Sequence, residues 1–134
     1  MPGEANLRKL LAGMRPHLQP GIFVFASLPN GAVLPAGLEP AMTFRESEGM
    51  TLVLTENQAR DANIAGTFRS RMVTLEIHSS LEAVGFLAAI TTRLAVAGIG
   101  INPVSAFHHD HLFVPANRAE EVIELLQQLA AEQN

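Results

Sequence analysis

Four consecutive side chains able to titrate or bind metal, His108-His109-Asp110-His111, form the most conspicuous cluster in the chain. Imidazole and carboxylate suit Zn²⁺ or Ni²⁺. On a strand, His109 and His111 would share one face, with His108 and Asp110 on the other. A metal site would need a third ligand, for which His78 is the best candidate. Two readings compete with it. One is a turn aspartate bonding its own backbone between histidines that bond across a sheet. The other is a polar contact of His109, Asp110 and His111 to a ligand or a partner subunit.

A second group, His78-Ser79-Ser80, falls where a strand hands over to a helix. Free N–H groups and the dipole of a helix start favour an anionic group such as a carboxylate. Ser79 and Glu82 also have the spacing of a capping box, which requires no ligand. Gly85 lies one turn into that predicted helix, where glycine costs about 1 kcal/mol relative to alanine. Close approach of a neighbouring backbone or a ligand would account for it. A third group, Arg45, Glu46 and Glu48, could grip an amino acid, guanidinium on carboxylate and carboxylate on ammonium. An internal ion pair or a solvated turn explains the same residues.

Covalent catalysis fits poorly. Ser79 or Ser80 would need a base and an orienting acid, and His78 and Glu82 are only sequence neighbours. There is no Gly-x-Ser-x-Gly elbow. Gly98-x-Gly100 lies at a helix end, not at the helix start that a dinucleotide fingerprint requires. No enzyme activity, no cofactor and no metal is expected.

The elements that position these groups can be read from periodicity. A helix is predicted from Glu4 to Met14, with Leu7, Leu10, Leu11 and Met14 on one stripe. Strands follow at Ile22–Leu28, Ala41–Arg45 and Met50–Leu54, with a Gly-, Pro- and Ala-rich loop from Gly31 to Pro40 between the first two. A short helix covers Glu56–Ala62, and Asn63–Ser70 has no clear period. Val73, Leu75 and Ile77 alternate with Met72, Thr74 and Glu76 as in a half-buried strand. A helix over 82–97 buries Val84, Leu87, Ala88, Thr91, Leu94 and Ala95 and is stopped by Gly98. Strands at Ile101–Phe107 and His111–Val114 join tightly near His109-Asp110. Asn117, with Glu120 three residues on, caps a last helix whose face is Val122, Leu125, Leu126 and Leu129. Residues 71–131 thus read β-α-β-β-α, a two-layer α+β sandwich of ferredoxin-like order short of its final strand. The earlier strands are available to complete it.

Composition narrows the partners. At 134 residues with no cysteine, the chain can build a core without disulfides and has no thiolate chemistry. Its formal net charge of −4 gives no attraction for a nucleic-acid backbone. Met1-Pro2-Gly3-Glu4 lacks the basic and apolar regions of a signal peptide. The stretch from Ala83 to Ile101 is too polar to span a membrane. A soluble, cytoplasmic protein without nucleic-acid or membrane partners is expected.

The β-α-β-β-α order, with Leu94-Ala95-Val96-Ala97-Gly98-Ile99-Gly100-Ile101-Asn102 feeding a strand, resembles an ACT domain. Three segments are similar to a bacterial family of free-standing tandem ACT-like proteins: Phe44-Arg45-Glu46-x-Glu48-Gly49, His78-Ser79-Ser80-Leu81-Glu82-Ala83-Val84-Gly85, and His109-Asp110-His111 with Leu112-Phe113-Val114. Ala97–Val114 also resembles the ACT repeats of aspartate kinases and of CASTOR-type arginine sensors. The resemblance implies two ACT-like halves, 1–65 and 66–134, and a regulatory fold that binds an amino acid at a subunit or repeat interface. The contacts it implies lie at 78–85, including Leu81 and Val84, and at Ile101, Asn102 and Pro103. An open sheet edge implies a homodimer. The alternatives are an interaction module without a ligand, and a metal site at His78, His109 and His111.

Overall fold

The computed structural model describes residues 5–134. In chain order the elements are helix α1 (Leu7–Gly13), strands β1 (Arg15–Leu18), β2 (Phe23–Leu28), β3 (Met42–Glu46) and β4 (Gly49–Thr55), and helix α2 (Glu56–Asp61). Strand β5 (Thr67–Glu76), helix α3 (Phe86–Val96), strands β6 (Asn102–Ser105) and β7 (Asp110–Pro115) and helix α4 (Ala119–Ala131) complete the chain. They build two compact units, one of Gly21–Ser70 and one joining the described residues up to Pro20 with Arg71–Asn134. Strand β5 begins in the first of these and ends in the second. The fold is α+β, with antiparallel strand pairs and helices in the expected ferredoxin-like manner. Glu4, where the first helix was expected to start, lies outside the described residues.

In the unit that joins both ends of the chain, the strand order is β1-β5-β7-β6. Strand β1 runs antiparallel to β5, from Arg15↔Glu76 to Leu18↔Val73, and so supplies the fourth strand that residues 71–131 lack. The completing strand does come from the N-terminal residues, from a segment ahead of the strands at Ile22 and beyond that periodicity picked out. Pro16 and the short, mixed stretch around it give no alternating signal; only the register with β5 makes this segment a strand. Strand β6 pairs antiparallel with β7, from Asn102↔Phe113 to Ser105↔Asp110.

Odd-numbered Val73 and Leu75 of β5 and even-numbered Leu112 and Val114 of β7 face the helices. There they meet Leu10 of α1, Ile90 and Leu94 of α3, and Val122 and Leu126 of α4, all without exposed surface. Each such side chain contributes on the order of 1.5–3 kcal/mol by leaving water.

Both outer strands of this unit are blunted by proline. The Gln19 N–H donates to the Met72 carbonyl in the β1–β5 register, which places Pro16 among the outward-facing positions. The Ala106 N–H donates to the His109 carbonyl in the β6–β7 register, which turns Pro103 outward likewise. Proline has no N–H to offer a further strand.

Helix α3 departs from expectation at its start. It begins at Phe86, its N-cap is Gly85 at φ +89°, and no side chain caps it. The capping-box spacing of Ser79 and Glu82 is local turn chemistry instead: the Glu82 N–H donates to Ser80 Oγ at 3.1 Å. Glycine at 85 answers a left-handed backbone conformation. An added Cβ there would reach only Leu7, at an ordinary 3.5 Å. The buried stripe is Phe86, Ile90 and Leu94, whereas Val84 is 83% exposed and Ala88 and Ala95 face solvent. At its other end the helix closes as expected. The Ile99 N–H donates to the Leu94 carbonyl and the Gly98 N–H to the Ala95 carbonyl, with Gly98 at φ +74°. The Arg118 guanidinium donates to the Ala97 and Gly98 carbonyls, tying this helix end to the start of α4. Helix α4 itself follows a 3₁₀ turn (Ala116–Arg118) and carries no side-chain cap, so Asn117 does not have the capping role its spacing suggested.

The Gly21–Ser70 unit has the order β3-β4-β2-β5. Strand β2 pairs with β4 from Phe23↔Thr55 to Leu28↔Met50, and β3 pairs with β4 from Met42↔Val53 to Glu46↔Gly49. Its core is Val24, Ala26, Leu52, Leu54 and Ala59. A loop, with no helix, links β2 to β3, and its Leu34 and Leu38 pack on that core. The Gln58 side-chain amide holds the loop by both groups, accepting from the Glu39 N–H at 2.8 Å and donating to the Glu39 carbonyl at 3.2 Å. Strand β5 starts at Thr67, ahead of the alternation around Val73, and just before it Gly66 lets the backbone pass close to β2. A Cβ on Gly66 would lie 2.5 Å from Val24 Cγ2 and 2.8 Å from its Cβ. Gly66→Ala should therefore destabilise the protein by about 1–3 kcal/mol, as overpacking does. Urea denaturation measures this, and an unchanged midpoint would contradict the close approach.

Candidate functional site

The segment that leaves β5 turns twice before α3. The Ser79 N–H donates to the Ile77 carbonyl at 3.0 Å and the Ala83 N–H to the Ser80 carbonyl at 3.0 Å. With the first turn of α3 and the β6–β7 hairpin, this segment encloses a recess of about 230 Å³. Its polar wall is Ser79, Ser80, Ser105 and Asp110, and its apolar wall is Leu81, Ala83, Phe86, Leu87 and Ala106. Asp110 shares strand parity with Leu112 and Val114, so it stands on the helix side of β7, at the mouth of the core. Phe86, nearly fully buried, is the floor.

The structure thus brings Ser79, Ser80, Leu81 and Asp110 together. His78, Glu82, Val84 and Gly85 belong to the same segment but do not line the recess. Ile101, just before β6, and Asn102 and Pro103 at its start do not line the recess; this stretch contributes Ser105, the last residue of β6, and Ala106 after it. Sequence reasoning missed Ser105, Ala106, Phe86 and Leu87. The hairpin turn was placed near His109-Asp110, and it falls instead at Phe107-His108, which moves Ser105 opposite Asp110. Arg45, Glu46 and Glu48 lie in the other unit, on the exposed β3–β4 hairpin. Glu46 accepts a hydrogen bond from the Thr51 hydroxyl. The Ser47 hydroxyl donates to Glu48 at 2.9 Å and lowers the pKa of that carboxyl. No ion pair joins Arg45 to either glutamate among the described residues.

The histidines divide as strand geometry requires. His109 Nδ1 donates to the Ile77 carbonyl at 3.2 Å, pinning the start of the turning segment. His111 Nδ1 lies 3.0 Å from Thr74 Oγ1, which also receives the Gln19 side-chain N–H at 3.0 Å. Thr74 is almost fully buried, so this chain of bonds satisfies a hydroxyl that β5 would otherwise strand away from water. The His109 and His111 rings meet edge to face at 6.4 Å, and His78 stands 6.5 Å from His108. Among the described residues, no group of three or more His, Asp or Glu is arranged to hold a metal ion. Nor is any helix among them long and apolar enough to cross a membrane.

Burial lowers the His111 pKa below the ordinary imidazole value; His109 pushes the same way and Asp110 opposes. The folded protein therefore takes up this proton at lower pH than the unfolded chain. Its contribution is complete above about pH 6.5 and is lost as pH falls from there toward the lowered folded-state pKa. Denaturation midpoints measured from pH 7.5 to 5.0 should fall more steeply in the wild type than in His111→Gln. Parallel slopes would remove His111 from the account.

Comparison with other proteins places the fold. Two ACT domain models match the chain, one over residues 2–71 and the other over 67–128. A Vibrio cholerae protein of unknown function, described as a possible transport protein, is 39% identical with a TM-score of 0.84, covering 92% of this chain and 95% of its own. An Agrobacterium tumefaciens protein is 20% identical with a TM-score of 0.75, covering 87% and 89%. The regulatory subunit of aspartate kinase from Thermus flavus shares the fold at 13% identity and a TM-score of 0.64, covering 86% and 96%. A comparison with curated proteins gives no match. ACT domains are regulatory modules, and this chain belongs to the ACT domain family as a tandem pair.

Proposed function

We infer that the protein is a small-molecule sensor of the ACT type, binding an amino acid in the recess between the 79–87 segment and the β6–β7 hairpin, and catalysing nothing. The observation that carries this reading is the recess itself: serine hydroxyls and a carboxylate on one wall, apolar side chains on the other. Small-molecule sites combine apolar walls with a few placed polar groups in this way. At about 230 Å³ the recess lies below the roughly 300–1,000 Å³ of drug-sized sites, which suits a single small metabolite. The first turn of α3 has no side-chain cap, so its N–H groups are available to a ligand carboxylate. Ser79 and Ser80 have no imidazole placed to activate them, which supports binding over catalysis. The absence of cysteine and the net charge of −4 support a cytoplasmic protein that does not bind nucleic acid.

A homodimer completes the reading. Leu81, Val84 and Phe107 are 69%, 83% and 71% exposed in the segments that border the recess, and surfaces of this kind mark contact sites. Light scattering at micromolar concentration should give twice the chain mass; a monomer alone would remove the dimer from the proposal.

A thermal-shift panel of the twenty amino acids tests the sensor reading. A ligand at 100 times its Kd stabilises the fold by roughly 2.7 kcal/mol, a rise of several degrees. Ala106→Phe, which fills the recess from an exposed position, should abolish the rise without lowering the basal melting temperature. A flat panel in the wild type, or a rise that Ala106→Phe leaves intact, would count against the recess as the binding site. A stoichiometric protein partner recovered alongside a flat panel would favour an interaction module.

A further inference from the structure

The recess carries a single formal charge. Asp110 is half-buried there, and neither a hydrogen bond nor an ion pair engages it among the described residues. No arginine or lysine lines the recess, and the histidines on either side of Asp110 along β7 turn to the opposite face, toward Ile77 and Thr74. The carboxylate is thus drawn partly out of water without a cationic partner on the recess side. The Ser79 and Ser105 hydroxyls on the same wall can donate or accept but carry no charge.

The group that answers this arrangement is an ammonium. Its N–H donors would give Asp110 a charge-assisted hydrogen bond, with the two hydroxyls available to the remaining N–H groups. Behind them, Leu81, Phe86 and Leu87 offer an apolar wall with no polar atom for a long hydrophilic side chain. A ligand carboxylate, by contrast, finds no cationic side chain and has only the main-chain N–H groups of the first turn of α3. Cation recognition thus outweighs anion recognition in this recess. We propose that Asp110 is an ammonium subsite and that the recess selects small primary amines with a short branched apolar chain, the amino group being required and the carboxylate dispensable. The proposal rests on the recess being the ligand site.

Three matched probes separate the two claims: leucine, 3-methylbutylamine, which keeps its amine, and 4-methylpentanoate, which keeps its acid. In calorimetric titrations of the full chain, leucine and the amine should bind, and the acid should bind at least tenfold more weakly. Asp110→Asn should weaken leucine and the amine at least tenfold, with an unchanged circular dichroism spectrum and melting temperature. Asp110→Glu, which keeps the charge, should restore part of the loss and guards against a folding artefact. Should the acid bind as well as leucine, or Asp110→Asn bind all probes normally while Ala106→Phe binds none, the ammonium subsite is overturned and the recess stands. Binding that survives Ala106→Phe, or no binding of any probe to the wild type, overturns both.

Discussion

The pleat of β5 and β7 settles the destination of the side chains those strands carry, because a strand offers only two faces and one must be apolar. Burying Val73, Leu75, Leu112 and Val114 against three helices commits their parity positions to the core side. Asp110 inherits that side two residues before the apolar run begins, and the hairpin opens there, so it reaches a recess and not the packed interior. Thr74 and His111 inherit the other side. A shift of β7 by one residue would exchange the carboxylate and the imidazole. The site's electrostatics are therefore a consequence of hydrophobic register, and no residue in the recess need be individually strong for the arrangement to be specific.

The same constraint explains why the buried hydroxyl network exists. Thr74 cannot leave the sheet without moving Val73 and Leu75, so its polarity is answered in place by Gln19 and His111. Gln19 follows β1 directly, and β1 is held by its pairing with β5. The chain's first strand thus steadies both the sheet order and the imidazole beside the carboxylate. Helix α3 is fixed by comparable means. Gly85 bends the chain into it, Gly98 and Ile99 close it, and Arg118 secures its last carbonyls from the start of α4.

Much of this was legible in the residues, and the failures have physical causes. The alternation around Val73, the Gly98 stop, the loop before β3 and the two-layer class follow from periodicity and turn chemistry. The start of α3 did not, because Ser79-x-x-Glu82 imitates a capping box while the real entry is a glycine with positive φ, which spacing cannot distinguish from a mid-helix glycine. Strand β1 was hidden because four residues containing a proline acquire strand character only from a partner nearly sixty positions away. The recess was half visible: Ser79, Ser80 and Asp110 stood out as chemistry, but Ser105 and Ala106 read as ordinary strand, Leu87 as ordinary helix core, and Phe86 carried no signal until the hairpin was placed.

The two prolines that face outward from β1 and β6 have a bearing on assembly as well as on the fold. Strand β3, with Phe44 exposed at its centre, contains no proline and keeps its full complement of donors. A copy joined edge to edge through it would leave the proline-bearing strands β1 and β6 as margins in the other unit. Growth of the sheet through those two strands is discouraged by the missing N–H alone, without charged guards along them.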